Sequence, residues 1–141
     1  YGQGGLRAFQ VGSEALSQLT RLYWYTVEFG LINTPQGLRI YGAGILSSKG
    51  ECDYSLNADV PNRIGFDLKR VMNTRYRIDT YQKTYFVIDN FEQLFEATFA
   101  DFAPVYAQLN RSKAVPAGDV SSTDKVYHTG TGEGWLLDGD V

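Results

Sequence analysis

The sequence predicts one domain of mainly α class with short β-strands, an α+β arrangement. Three observations lead there. Apolar residues recur at spacings of three and four after Ser13, after Gly65 and after Asn90, the period of amphipathic helices. Only two short runs between them, 38–41 and 84–88, have strand character. The 141 residues are 43 % hydrophobic, with ten Tyr, eight Phe and two Trp, enough for one core, and no repeat or linker divides them.

The elements follow in order. Tyr1-Gly2-Gln3-Gly4-Gly5 has no periodicity and reads as a loop. Ser13 can cap a helix whose first turn places Glu14 against the positive end of the dipole. Leu16, Leu19, Tyr23 and Val27 form one apolar stripe of that helix, and Gly30 is a natural stop. Asn33 to Gly37 is turn chemistry, with Pro35 to set φ and Gly37 to permit positive φ. Leu38-Arg39-Ile40-Tyr41 alternates as a short strand. Gly42-Ala43-Gly44 then breaks it and allows close backbone approach.

A helix is expected within 45–56, a loop over 57–65, and a second helix over 66–73 with Phe66, Leu68, Val71 and Met72 as its apolar members. Thr84-Tyr85-Phe86-Val87-Ile88 is aromatic and β-branched and reads as a strand. Asp89 or Asn90 caps a third helix carrying Phe91, Leu94, Phe95, Thr98 and Phe102. A shorter helical stretch follows Pro104 and reaches Leu109. The rest, rich in Gly, Ser, Thr and Asp, reads as a peripheral tail, loosely ordered in places.

Composition excludes several functions. Thirteen basic against sixteen acidic residues give a net charge of −3, which argues against binding nucleic acid through phosphate neutralisation. One cysteine, Cys52, excludes an internal disulfide framework and fits a reducing compartment. No apolar run approaches the roughly 20 residues of a membrane span. A cytoplasmic protein without membrane contact is expected, and the absence of a heptad tail suits a monomer.

Chemically, the most informative stretch is Arg21-Leu22-Tyr23-Trp24-Tyr25-Thr26-Val27-Glu28-Phe29-Gly30. Glu28 is a carboxylate among rings and aliphatic side chains, and four residues from Trp24 it shares a helix face with it. An ionised carboxylate buried there needs a cation or a proton. Arg21, Arg75 or Arg77 could supply the cation, a metal ion could, or the group could be a protonated acid. The second constellation is Tyr41-Gly42-Ala43-Gly44-Ile45-Leu46-Ser47-Ser48. It matches neither a dinucleotide nor a P-loop pattern. It is either a strand-to-helix turn with Ser47 or Ser48 as local hydrogen-bonding residues, or a pocket wall where small residues let a ligand approach the backbone. His128, the single histidine, lacks a local nucleophile motif and reads as an exposed tail residue; Cys52 reads as a small buried apolar one.

Arg21 to Ile32, Tyr41 to Ser48, and Tyr76-Arg77-Ile78-Asp79-Thr80-Tyr81-Gln82-Lys83-Thr84-Tyr85-Phe86-Val87-Ile88-Asp89 together resemble the aromatic amino acid hydroxylases, most closely the bacterial members that hydroxylate phenylalanine. The blocks are long, specific and correctly ordered. The resemblance covers roughly residues 1–120 and weakens after Arg111.

It implies part of that family's catalytic-domain fold, with 1–110 as the C-terminal half of the domain and 111–141 as a peripheral tail. It implies conversion of L-phenylalanine to L-tyrosine with O₂ and a tetrahydropterin (tetrahydrobiopterin or a relative) at a mononuclear non-haem Fe(II) held by two histidines and a glutamate. Glu28 would be the carboxylate iron ligand, and Tyr23 the tyrosine beside iron and pterin. Trp24, Gly44, Ser47 and Tyr76 would line the substrate site, Ser47 also orienting an iron histidine. Ile78 would form an apolar wall that favours an unsubstituted ring over a phenol, whose hydroxyl would lose hydrogen bonding there. The family's His-x-x-x-x-His pattern is not found in the sequence and would lie upstream of Tyr1. That leaves a second reading, a truncated, non-catalytic module that binds aromatic amino acids weakly or serves structurally.

Overall fold

The computed structural model describes residues 13–99, 114–135 and 139–141. A five-stranded sheet in the order β2-β1-β4-β3-β5 organises them. Its strands are β1 (Leu31–Thr34), β2 (Gly37–Ile40), β3 (Asn62–Gly65), β4 (Thr84–Ile88) and β5 (Val126–His128). The inner strands β1, β4 and β3 run parallel, and each edge is closed by an antiparallel partner. The helices are α1 (Ser13–Tyr23), α2 (Ala43–Leu46), α3 (Lys49–Asn57), α4 (Leu68–Met72) and α5 (Phe91–Phe99), and α1 runs directly into a π-helical turn, Trp24–Glu28.

The central strand explains the layering. All five residues of β4 are buried, as a parallel strand covered on both faces requires. Phe86 and Ile88 join Leu22, Tyr25, Val71, Met72 and Tyr76 in one core, against which Leu94 and Ala97 of α5 also pack. Tyr85 and Val87 point to the other face and meet Leu31 and Ile45, with Cys52 and Tyr54 of α3 beside them. The strand expected over 84–88 is therefore present, as is the short strand before Gly42. Asn90 caps α5 by accepting from the Gln93 amide at 2.8 Å, while the Gln93 side chain accepts from the Asp89 amide at 2.8 Å. Phe102 and the helical stretch expected after Pro104 lie outside the described residues.

Several expectations change. The buried face of α1 is Ala15, Gln18 and Leu22, continuing to Tyr25, whereas Leu16 and Tyr23 are 40 % and 42 % exposed. The spacing of three and four holds but the buried face is rotated, and of the expected stripe only Leu19 packs on this core. The helix expected over 66–73 shortens to α4, capped by Asp67, whose carboxylate accepts from the Arg70 amide at 3.0 Å. The helix expected within 45–56 is two helices, α2 and α3, separated at Ser48, whose hydroxyl accepts from the Glu51 amide at 3.3 Å.

The loop expected over 57–65 ends in β3, where Asn62 and Arg63 are buried. Arg63 lies inward because its guanidinium caps the end of α3, donating to the carbonyls of Ser55, Tyr54 and Ala58 at 2.6, 3.2 and 2.7 Å. The described parts of 110–141 are tied to the body. β5 pairs with β3, Ala117 is buried, and Thr74 bridges to Val115. His128 is half-buried, its ring 3.0 Å from the Asp59 carbonyl.

Candidate active site

The segment singled out by sequence does not continue as an α-helix. After Tyr23 the chain widens into the π turn, closed by the Phe29 amide donating to the Trp24 carbonyl at 2.9 Å. The local sequence favours this. Thr26 and Val27 are β-branched and crowd an α turn, and the Thr26 hydroxyl donates to the Leu22 carbonyl at 2.6 Å. Such turns inside helices are frequent at functional sites. One consequence is that residues five apart align. The Tyr23 hydroxyl reaches Glu28 Oε1 at 3.5 Å, a long contact.

Glu28 is half-buried rather than enclosed. Among the described residues no guanidinium or ammonium pairs with it; Arg21 instead donates to the Met72 carbonyl at 3.4 Å. The ion-pair alternative for this carboxylate thus finds no support among them.

Two glycines bring the second constellation against the first. A Cβ on Gly42 would lie 2.4 Å from the Glu28 carbonyl oxygen and 2.6 Å from the Gly30 amide nitrogen, so only glycine fits. A Cβ on Gly44 would lie 2.9 Å from Glu28 Oε2 and 2.9 Å from the Phe29 ring. Gly44 therefore faces the carboxylate directly. Ser47, exposed at the end of α2, donates its hydroxyl to the Gly44 carbonyl at 2.9 Å.

The aromatic side of the site is built by Trp24. Its ring stacks on Tyr76 with centroids 4.7 Å apart and leans on Phe29 at 4.8 Å. Tyr76 also meets Tyr25 edge-on. Trp24 Nε1 is buried with no hydrogen-bond partner among the described residues. Tyr23, Trp24, Glu28, Gly44, Ser47 and Tyr76 are thus linked through the π turn and the start of α2. Ile78 is the exception. At 62 % exposed it forms no wall among the described residues, since it lies on the loop between Tyr76 and β4 rather than in the sheet.

The donor set fits a metal ion in part. Glu28 offers a carboxylate with an open side and no competing cation, but no three His, Cys, Asp or Glu side chains converge among the described residues. A hard or borderline cation there would need further ligands from elsewhere.

Sequence reasoning overlooked another acid. Glu51 of α3 is only 6 % exposed, and its carboxylate accepts from the Tyr85 hydroxyl at 2.5 Å and the Gln82 amide at 3.3 Å. Burial pushes its carboxyl above the ordinary value, against the opposing pull of those two bonds. Burial, and then the Glu51 charge, push the Tyr85 hydroxyl up as well. The only sequence signal was an acid in the first turn after the Ser48 cap, which is unremarkable at a helix start.

The fold and this arrangement agree with the comparisons. Residues 2–129 match the family model of biopterin-dependent aromatic amino acid hydroxylases, and the chain belongs to that family. Its relatives include the phenylalanine-4-hydroxylase of Chromobacterium violaceum, 62 % identical over all 141 residues and 47 % of that protein. The phenylalanine-4-hydroxylase of Ralstonia nicotianae is 62 % identical over the whole chain and 44 % of its own length. The rat protein of that name is 35 % identical over 71 % of this chain and 22 % of its own. The chain superposes on the C. violaceum phenylalanine hydroxylase solved with iron and phenylalanine bound, with a TM-score of 0.86 and 65 % identity, covering 89 % of this chain and 46 % of that one. The chain therefore spans about half the length of the bacterial relatives it matches.

Proposed function

We propose that this chain is the part of a monomeric, cytoplasmic phenylalanine 4-monooxygenase that carries the carboxylate iron ligand and the aromatic side of the amino-acid pocket. The observation that carries the reading is Glu28: half-exposed, without a cation among the described residues, and faced by a glycine whose missing Cβ leaves its oxygen accessible. Glu28 would hold the ferrous ion, and the ion with a tetrahydropterin would supply the activation of O₂.

The chain's own residues would do the rest. Trp24 and Tyr76 offer a flat stacked surface that takes up the phenyl ring and excludes water from it. Gly44 within α2 and Ser47 at its end leave room for the polar end of the amino acid. The Tyr23 hydroxyl, five residues before Glu28, restrains one carboxylate oxygen. Ile78, exposed on the loop after Tyr76, carries no role in this reading.

The test is Glu28→Ala in the full-length protein. Iron content and tyrosine formation both collapse if the reading is right, and undiminished values for both overturn it.

A second reading has its own support, because a single carboxylate is too few ligands and no three candidate ligands converge among the described residues. On that reading the 141-residue chain alone is a weak aromatic amino acid binder or a structural module. Titration with Fe(II) separates the two: weak, non-stoichiometric binding by the isolated chain fits it, and stoichiometric binding excludes it.

A further inference from the structure

The ring pair of the site is anchored from an unexpected direction. The backbone of Tyr76 makes a reciprocal pair with Val141: the Val141 amide donates to the Tyr76 carbonyl at 2.7 Å, and the Tyr76 amide donates to the Val141 carbonyl at 3.1 Å. Both main-chain groups of Tyr76 are thereby committed to the segment 139–141. That segment is itself tied to the body mainly through the Asp140 side chain. Asp140 Oδ1 accepts from Lys83 Nζ at 3.1 Å and stands 3.6 Å from Arg77 Nη1, while Oδ2 accepts from the Ala117 amide at 2.8 Å. The Arg75 guanidinium donates to the Asp140 carbonyl. Lys83 and Arg77 are buried, Arg77 at 1 % exposure, so the carboxylate is a counter-charge in a poorly hydrated place, shared at Arg77 with Asp79 at 2.9 Å.

We propose that Asp140 is a positioning residue for the Trp24–Tyr76 stack: through Lys83, Arg77 and Ala117 it fixes the strand-like segment that holds the Tyr76 backbone, and so sets the plane on which the aromatic substrate rests. This inference rests on the functional reading above for the identity of the substrate, but not for the geometry. Burial alone would push the Asp140 carboxyl up; the Ala117 amide, Lys83 and Arg77 outweigh it and hold the group below the usual carboxylate range. Asp124 provides an internal control. It ties the neighbouring stretch to the body through Arg70 at 3.0 and 3.2 Å, in a comparable charge-assisted pair that makes no direct contact with Tyr76, Arg70 reaching only as far as Thr74.

The experiment compares Asp140→Ala, Asp140→Asn and Asp124→Ala in the full-length, iron-loaded protein, reading KM for L-phenylalanine, kcat, and the near-ultraviolet circular dichroism of the stacked rings without substrate. Loss of a buried charge-assisted anchor should raise KM about tenfold in Asp140→Ala, with kcat within about twofold and a diminished ring signal. Asp140→Asn, which keeps an acceptor for the Ala117 amide, recovers most of both; if the alanine variant does not fold, a rise of about threefold in the asparagine variant carries the result. Asp124→Ala lowers stability and leaves KM and the ring signal in place. An unchanged KM and ring signal in both Asp140 variants, or an equal KM rise in Asp124→Ala, overturns the proposal. A diminished ring signal in a protein that makes no tyrosine even as wild type overturns the functional reading alone.

Discussion

Glu28 and Glu51 are both acids placed among aromatic rings, and they have opposite surroundings. Glu51 is nearly sealed, yet a tyrosine hydroxyl and a backbone amide occupy its carboxylate, and it sits behind the sheet. Glu28 is half-open, has one long contact to Tyr23, and looks onto a glycine. A carboxylate that is buried and satisfied belongs to the architecture. One that is held in place but left under-coordinated is available for chemistry. Burial by itself does not distinguish a site; the unfilled coordination does.

The largest expected effect breaks or upholds that contrast at once. Glu28→Ala in the full-length protein should lower iron retention and turnover by more than about 100-fold, the upper end for groups that merely support a ligand. With both proteins stripped of iron, its unfolding midpoint in urea should hardly move, because no ion pair among the described residues is lost. A drop in stability as large as its loss of iron would place Glu28 with Glu51.

Glu51→Ala is the mirror experiment. It leaves the buried Tyr85 hydroxyl without its acceptor and opens a cavity, so denaturant unfolding should show a loss of about 2–4 kcal/mol while iron content per folded molecule stays constant.

Gly44→Ala sharpens the comparison from the Glu28 side. Its methyl would press on Glu28 Oε2 and the Phe29 ring at 2.9 Å, turning the carboxylate. Iron affinity, measured by competition with a chelator, should fall about tenfold, with a stability cost of about 1 kcal/mol.

The smallest effect is a pH dependence. The Glu51 carboxyl is raised in the folded state by burial, so the native protein binds more protons than the unfolded chain above the ordinary value of 4.5. Its contribution is fully favourable below that value and declines as pH rises through the folded one. Glu51→Gln keeps the acceptor without the charge, so its melting temperature should gain on wild type as the pH is raised from 4.5 towards neutrality. A wild-type advantage growing over that interval would mean that Glu51 is paired with a cation after all.

Much of this was legible beforehand, and what was missed has physical causes. The 84–88 strand and the Asn90 cap announce themselves locally, by β-branched side chains and by a polar residue before an apolar period. β3 does not. Asn62 and Arg63 are polar to any local rule; Arg63 is buried because the end of α3 needs a donor for three carbonyls, and Asn62 because it bonds Thr84, the Gly118 carbonyl and the Gly130 amide. The phase of α1 is hard to read because large apolar side chains, Leu16 and Tyr23, face the open side while the small Ala15 and the polar Gln18 are buried beside Leu22. At the site, Glu28, Trp24 and the glycines could be singled out from spacing, but their linkage depends on a π turn that α-helical periodicity does not encode. The place of 139–141 is hidden because a Gly-Asp-Val sequence has no propensity of its own; its structure comes from Lys83 and Tyr76, far back in the sequence.

The strand order has a bearing on how the molecule is made. β4 joins the β1–β2 hairpin to β3, yet it is synthesised after all three. Until residue 88 is in hand, the hairpin and β3 have no common neighbour, and the parallel seams on either side of β4 require loop closures over dozens of residues. The turn bearing Glu28 leads straight into β1, so it gains its final support only when that keystone is set. Assembly of this half-domain is therefore a late, cooperative event on the growing chain, and a ribosome-stalled product ending before Thr84 would carry every residue from Tyr23 to Tyr76 without the geometry that joins them.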